Sequence, residues 1–159
     1  MKTIFLLRHA KAAPGNAWTK DFDRELDARG VKEAARAGEL MRRQDVHPKL
    51  ILSSPAKRTQ QTIELAIQSS MLEIKAQYDR RIYEASAGEL LNVLTSTDEN
   101  INEVLIVGHN PGIEELLRYL TNESRPMGTA ALARVEIAND SWEQLTPGGG
   151  QLAWLIKAD

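Results

Sequence analysis

Apolar positions along the chain fall into two alternating patterns. Short unbroken runs at 3–8 (TIFLLR), 49–54 (KLILSS) and 103–108 (EVLIVG) read as strands. They lack the in-out alternation of a half-exposed strand and fit strands buried on both faces of a parallel sheet. Between them, apolar residues recur at helical spacing. From Asp27 to about Arg43 the stripe Val31, Ala34, Ala35, Gly38 and Met41 predicts a helix. Ser54 followed by Pro55 reads as an N-cap and first helical position, opening a helix to about Gln68. Its inward stripe would be Ala56, Thr59, Ile63, Ala66 and Ile67. A weaker strand lies around 73–77 (EIKAQ), and Ser86 and Glu89 have capping-box spacing at the start of GELLNVLTS. Asn110-Pro111 precedes the helix GIEELLRYL, and two last strands, 131–137 and 151–157, flank the turn signal TPGGG.

Strands alternating with helices of about ten or more residues imply an α/β fold. The expected architecture is a three-layer α/β/α sandwich with a mostly parallel central sheet and an antiparallel edge strand. Its 159 residues suit one domain, expected to span 1–159. Apolar content of 42% with 26% charged residues is ordinary globular composition. A net charge of -2 argues against a general nucleic-acid or anionic-membrane surface, since both favour a basic face. The absence of cysteine excludes disulfides, thiolate metal sites and a cysteine nucleophile, and suits a reducing cytoplasm. The opening MKTIFLLRHA has only four apolar residues in a row before Arg8, short of a signal-peptide core. No run approaches the eighteen or so apolar residues of a membrane span. A cytoplasmic protein is therefore expected.

Three strand ends carry unusual chemistry. The first ends in Arg8 and His9; the second leads into SSPAKRTQQT, with Arg58 near the first helical turn. The third ends in VGHNPG, where His109 sits between a strand and a helix. Any one of these could be a surface cation or a hydrogen-bonded structural histidine. In an open α/β sheet, however, ligands bind outside the carboxyl ends of the strands. If the three strands are parallel neighbours, two imidazoles and two guanidiniums converge where helix N-termini also favour anions. That constellation asks for a phosphoryl group, because arginine's planar fork matches phosphate bidentately and keeps its charge near neutral pH.

LLRHAK, SSPAKRTQQT and VGHNPG, in this order, resemble the histidine phosphatase superfamily, whose fold is that of phosphoglycerate mutase. Within it the sequence most resembles the small phosphohistidine phosphatases of the SixA type, along nearly the whole chain and including DFDRELDARG. The resemblance implies that His9 is a nucleophile forming a transient phosphohistidine. Arg8 and Arg58 would then clamp the phosphoryl oxygens, and His109 would donate to the same oxygens. No metal and no cofactor would be required. The family pattern usually has glycine after Arg-His, where this chain has Ala10. Lys11 and Arg24 are candidates to line the mouth, and Glu84 is the nearest candidate for an acid protonating the leaving group. A departing imidazole needs little such help, its conjugate acid having a pKa of about 6.5, whereas a sugar or glycerate oxygen would need it. The expected substrate is therefore phosphohistidine on a protein, such as a histidine phosphotransfer domain. Three alternatives stay open: a small-molecule phosphomonoesterase or mutase of the same superfamily, a zinc hydrolase using His9 and His109, and a non-enzymatic phosphoprotein-binding module. Zinc is disfavoured, since it wants three or more ligands and two arginines flank these two histidines.

Overall fold

The alternation of strand and helix is realised in a computed structural model that describes residues 1–158. Six strands, β1 (Lys2–Arg8), β2 (Leu50–Ser53), β3 (Gln77–Tyr78), β4 (Glu103–Gly108), β5 (Leu132–Ile137) and β6 (Gly150–Ile156), form one sheet in the order β3-β2-β4-β1-β5-β6. β1 to β4 run parallel, while β5 is antiparallel to both β1 and β6. The expected antiparallel pairing of the last two strands is therefore present, with β5 one place in from the edge and β6 forming it. Four helices, α1 (Ala28–Arg43), α2 (Lys57–Ser70), α3 (Ala87–Thr95) and α4 (Gly112–Thr121), cover the two faces.

Period-two geometry divides the unbroken apolar strands between two cores. Ile4, Leu6, Val104 and Ile106 pack with Leu90, Leu94, Ile113 and Leu117 beneath α3 and α4. Phe5, Leu7, Leu105 and Val107 face the other way, onto Ala34, Met41, Ile63 and Ala66 of α1 and α2. Burial on both sides is why these strands carry no polar alternation.

Helix α1 is rotated relative to the sequence stripe. Val31 is exposed and Ala35 half-buried, while Gly30, Glu33, Ala34, Ala37, Gly38 and Met41 face inward. Close backbone approach decides this. A Cβ on Gly38 would stand 1.9 Å from Ser69 Oγ and 2.2 Å from Ala66 O on α2, and one on Gly30 would stand 1.9 Å from Lys11 O. Helix α2 begins at Lys57 rather than Pro55, with Ala56 at the cap and no side-chain cap bond. Its inward face holds Arg58, Thr62 and Ser70 besides Thr59, Ile63 and Ala66, and Ile67 is half-buried. The capping box of α3 is formed by Ser86 and Glu89. The weak strand lies later than its expected span, reduced to Gln77–Tyr78.

Gly38→Ala should lower stability by about 1–3 kcal/mol through overpacking against α2, outweighing the gain in helix propensity. A lower denaturant midpoint at unchanged slope is the expected reading. A raised midpoint would contradict the α1–α2 contact.

Candidate active site

Register carries the site. Arg8 pairs with Gly108 across β1 and β4, and Ser53 pairs with Val107 across β2 and β4. The backbone continues this alignment one residue further, with His9 N donating to Gly108 O at 3.1 Å and Ser54 N to Val107 O at 3.0 Å. His9 and His109 therefore leave adjacent strands at the same level. Their ring centroids are 5.2 Å apart, and both residues are more than nine-tenths buried. Arg58 is brought to the same place by the first turn of α2 and is equally buried. The charges of Arg58, Arg8 and Arg24 all bear on the His9 ring.

The loop after β1 fixes the tautomer of His9. Its Nδ1 lies 2.7 Å from Ala10 O, and a carbonyl only accepts, so Nδ1 carries the ring proton and Nε2 keeps its lone pair. Ala10 is fully buried, and its backbone φ is not in the left-handed region, so this position does not require glycine. Its N–H donates to Thr62 Oγ1 at 2.9 Å, and that hydroxyl donates to Arg58 O at 2.6 Å. One threonine thus ties the segment after His9 to the turn that presents Arg58.

His109 is held through Nε2, 2.8 Å from Ser54 Oγ. Ser54 Oγ also accepts from Ala56 N, at 3.2 Å. With no other acceptor in reach among the described residues, the hydroxyl hydrogen goes to Nε2 and the ring proton to Nδ1. That Nδ1 is buried with no partner. Ser54 is thereby placed beside His109, and α2 starts two residues after Pro55. Arg8 likewise keeps a buried Nε without a partner, while its Nη1 donates to Met127 O at 3.2 Å. Buried donors normally find acceptors. Two donors without one, beside a free imidazole nitrogen, describe a site that an oxyanion would complete.

Asp21, which sequence reasoning missed, organises the opposite wall. It opens a 3-10 turn at Asp21–Asp23, on a loop closed by the bridge between Ala12 and Leu26. Arg58 donates to Asp21 O at 2.8 Å and to its Oδ2 at 3.1 Å, Tyr83 OH donates to Oδ2 at 2.7 Å, and Arg24 Nη1 to Oδ1 at 3.2 Å. The hydrogen bond from Tyr83, with the charges of Arg58 and Arg24, holds the carboxyl below its ordinary range. The only sequence signal was DFDRE, in which Asp21 could not be told from Asp23 without the fold. Arg24 reaches the site through Asp21. Lys11 has an exposed side chain, and its backbone N–H donates to the buried Glu33.

A cavity of about 550 Å³ opens from Arg58 and His109 between the starts of α3 and α4, with Glu84 on its wall. Glu84 is exposed and has a left-handed backbone, φ 53°. Among the described residues, no three of His, Asp or Glu gather as a metal ion would need. Among the described residues no helix is long and apolar enough to cross a membrane.

Burial sets the charge state of the two rings. It pushes His9 down to about 4, helped by the charges of Arg58, Arg8 and Arg24 and opposed by the bond to Ala10 O. Burial, then the neighbouring His9 and Arg58, push His109 down to about 3. Both rings are therefore neutral at pH 7.

The family model described as the histidine phosphatase superfamily (branch 1) matches residues 4–100, and the chain belongs to that superfamily. Its fold follows SixA from Agrobacterium tumefaciens with a TM-score of 0.84 at 28% identity, over 98% of this chain and 97% of that one. It follows the protein histidine phosphatase SixA complexed with tungstate with a TM-score of 0.82 at 26% identity, over 98% and 97% of the two chains. An uncharacterized chloroplastic protein of Arabidopsis thaliana is 28% identical over 99% of this chain and 78% of its own length. These likenesses carry a phosphatase or mutase activity of the superfamily, on a fold of the SixA type.

A pH dependence of stability follows from the two rings. Their folded pKa values lie below the ordinary 6.5, so below that pH the unfolded chain binds protons that the folded chain resists. Their contribution is full above about pH 6.5 and falls as pH drops towards about 4 for His9 and about 3 for His109. Denaturant midpoints should decline from pH 7 to 4.5, and the double variant His9→Gln, His109→Gln should flatten that decline. Equal slopes in both proteins would contradict neutral, buried rings.

Proposed function

We propose that the chain is a phosphohistidine phosphatase that removes the phosphoryl group from a histidine presented by another protein, through a phosphorylated His9. The observation that carries this reading is the His9 ring. It is neutral, has its proton fixed on Nδ1 and its Nε2 lone pair free, and has as neighbours Arg8 and His109, each with a buried donor that lacks an acceptor among the described residues.

In the first step Nε2 of His9 attacks phosphorus in line with the scissile bond. The P–N bond to the substrate imidazole breaks, and the departing nitrogen takes up a proton from solvent. Negative charge spread over the three equatorial oxygens meets Arg8, Arg58 and the Nδ1–H of His109, positioned before reaction begins. In the second step water attacks phosphorus, the bond to His9 breaks, and inorganic phosphate leaves. Asp21 is held ionised by Tyr83, Arg58 and Arg24 and so has no proton to give. An imidazole leaving group needs none. The donor set does not call for a metal. The SixA relative solved with tungstate, a tetrahedral oxyanion, supports a phosphoryl site in this fold.

A protein substrate is supported by Trp18. It is 93% exposed and lies on the loop that carries Asp21, three residues ahead of it. Exposed tryptophans are strong interface anchors. Trp18→Ala should raise KM several-fold for a phosphohistidine protein and leave hydrolysis of a small phosphodonor unchanged. An equal loss on both substrates, or none on either, would remove Trp18 from the docking surface.

A panel of phosphohistidine proteins and common phosphoesters tests the activity. Turnover should be fastest on phosphohistidine and persist in chelator. His9→Ala should abolish it, and Arg58→Ala should lower kcat by about a hundredfold or more, the scale of losing one preorganised donor. Faster hydrolysis of sugar phosphates or 3-phosphoglycerate would replace this reading with a small-molecule phosphomonoesterase or mutase. Binding of a phosphoprotein without turnover would replace it with a binding module.

A further inference from the structure

The cavity beyond the two histidines is acidic although the group it would receive is an anion. Of its lining residues four are carboxylates, Asp21, Glu84, Glu89 and Glu115, against one guanidinium, Arg58. Asp21 is engaged with Arg58. The remaining three stand at or just before the starts of α3 and α4, both of which border the cavity. Glu84 lies just before α3 and Glu89 on its first turn, and Glu115 lies on the first turn of α4. All three are exposed to solvent. None of the three forms an ion pair among the described residues: Arg81 is paired with Asp79, Arg80 lies 5.1 Å over the Phe22 ring, and Arg118, three residues after Glu115 in α4, makes no salt bridge to it. A second observation marks the cavity as a ligand site, independently of its charge. His109 lines it, is more than nine-tenths buried, and has an Nδ1 with no partner among the described residues.

A phosphoryl group fills only a small part of about 550 Å³. Resting on the phosphatase reading above, the remainder receives what is attached to that group. We propose that Glu84, Glu89 and Glu115, set around the opening in front of Arg58 and His109, select phosphorylated side chains flanked by lysine or arginine on a protein segment. The two charge zones act at different range. Arg8 and Arg58 hold the phosphoryl oxygens by short, directional bonds in a buried site. The exposed carboxylates act through a screened field on whatever surrounds the phosphoryl group. That field favours cationic neighbours and disfavours a substrate carrying a second anion, such as a carboxylate beside its phosphate. Small acidic phosphoesters are thus rejected at the mouth, without a lid.

Three phosphohistidine peptides of equal length, differing only in whether lysine, glutamine or glutamate flanks the phosphorylated residue, test the inference. At low salt, kcat/KM should be about tenfold higher for the lysine peptide than for the glutamine peptide, the combined scale of a few exposed ion pairs, and lowest for the glutamate peptide. Raising salt should compress the ratio. Glu84→Gln with Glu115→Gln should bring the lysine-to-glutamine ratio to about twofold or less. Hydrolysis of all three peptides at one rate would overturn the inference and leave the phosphatase reading standing. So would a ratio unchanged in the double variant. Failure to hydrolyse any of the peptides, with phosphoesters turned over, would overturn both.

Discussion

The pairing of Arg8 with Gly108, with Ser53 matched to Val107, sets the level at which three parallel strands end. One residue beyond that level the chain places His9 and His109, 5.2 Å apart, with Ser54 bonded to the second ring. The arrangement is unfavourable taken alone. It buries two imidazoles beside guanidinium charges, and the rings respond by giving up their protons far below the usual histidine range. What the fold gains is a ring nitrogen that stays unprotonated at neutral pH amid fixed positive charge. A shift of one residue in the strand register would turn these groups to the other face.

Asp21 explains how so much positive charge is held still. Its carboxylate accepts from Arg58, Arg24 and Tyr83 together, so one residue orients the guanidinium from α2 and joins it to a loop and to the segment before α3. Behind the histidines, Thr62 links Ala10 to Arg58, and Met127 O accepts from both Arg8 and Asn110. The side chains of the site come from strand ends and from the first turn of α2, and the bonds that fix them come from α2 and from the segments holding Asp21 and Met127. This suits phosphoryl transfer, where positioning and electrostatics supply most of the catalysis.

Much of this was legible in the sequence. The unbroken apolar runs identified β1, β2 and β4, because burial on both faces leaves no polar alternation to confuse them. Arg8, His9, Arg58 and His109 drew notice because each ends a strand, directly follows one, or lies in the first turn of the helix after it. The misses share one cause, that tertiary contact overrode local preference. Ser54 looked like a helix cap but is held beside His109, so α2 starts later. Val31 looked buried because it is apolar, but the glycines of α1 set the rotation by letting backbones meet. Asp21 was invisible because nothing local separates it from Asp23, and two of its three partners, Arg58 and Tyr83, come from distant segments. Ala10, which departs from the family pattern, proved compatible because its backbone conformation is one any residue adopts.

The central claim is that His9 takes the phosphoryl group from the substrate. The most direct test mixes the protein with a radiolabelled phosphohistidine protein, quenches within one turnover, and maps the label by peptide. The account requires an alkali-stable, acid-labile phosphate on the peptide containing His9, formed and lost at rates consistent with turnover. Phosphate release at full rate with no label ever on that peptide would contradict it.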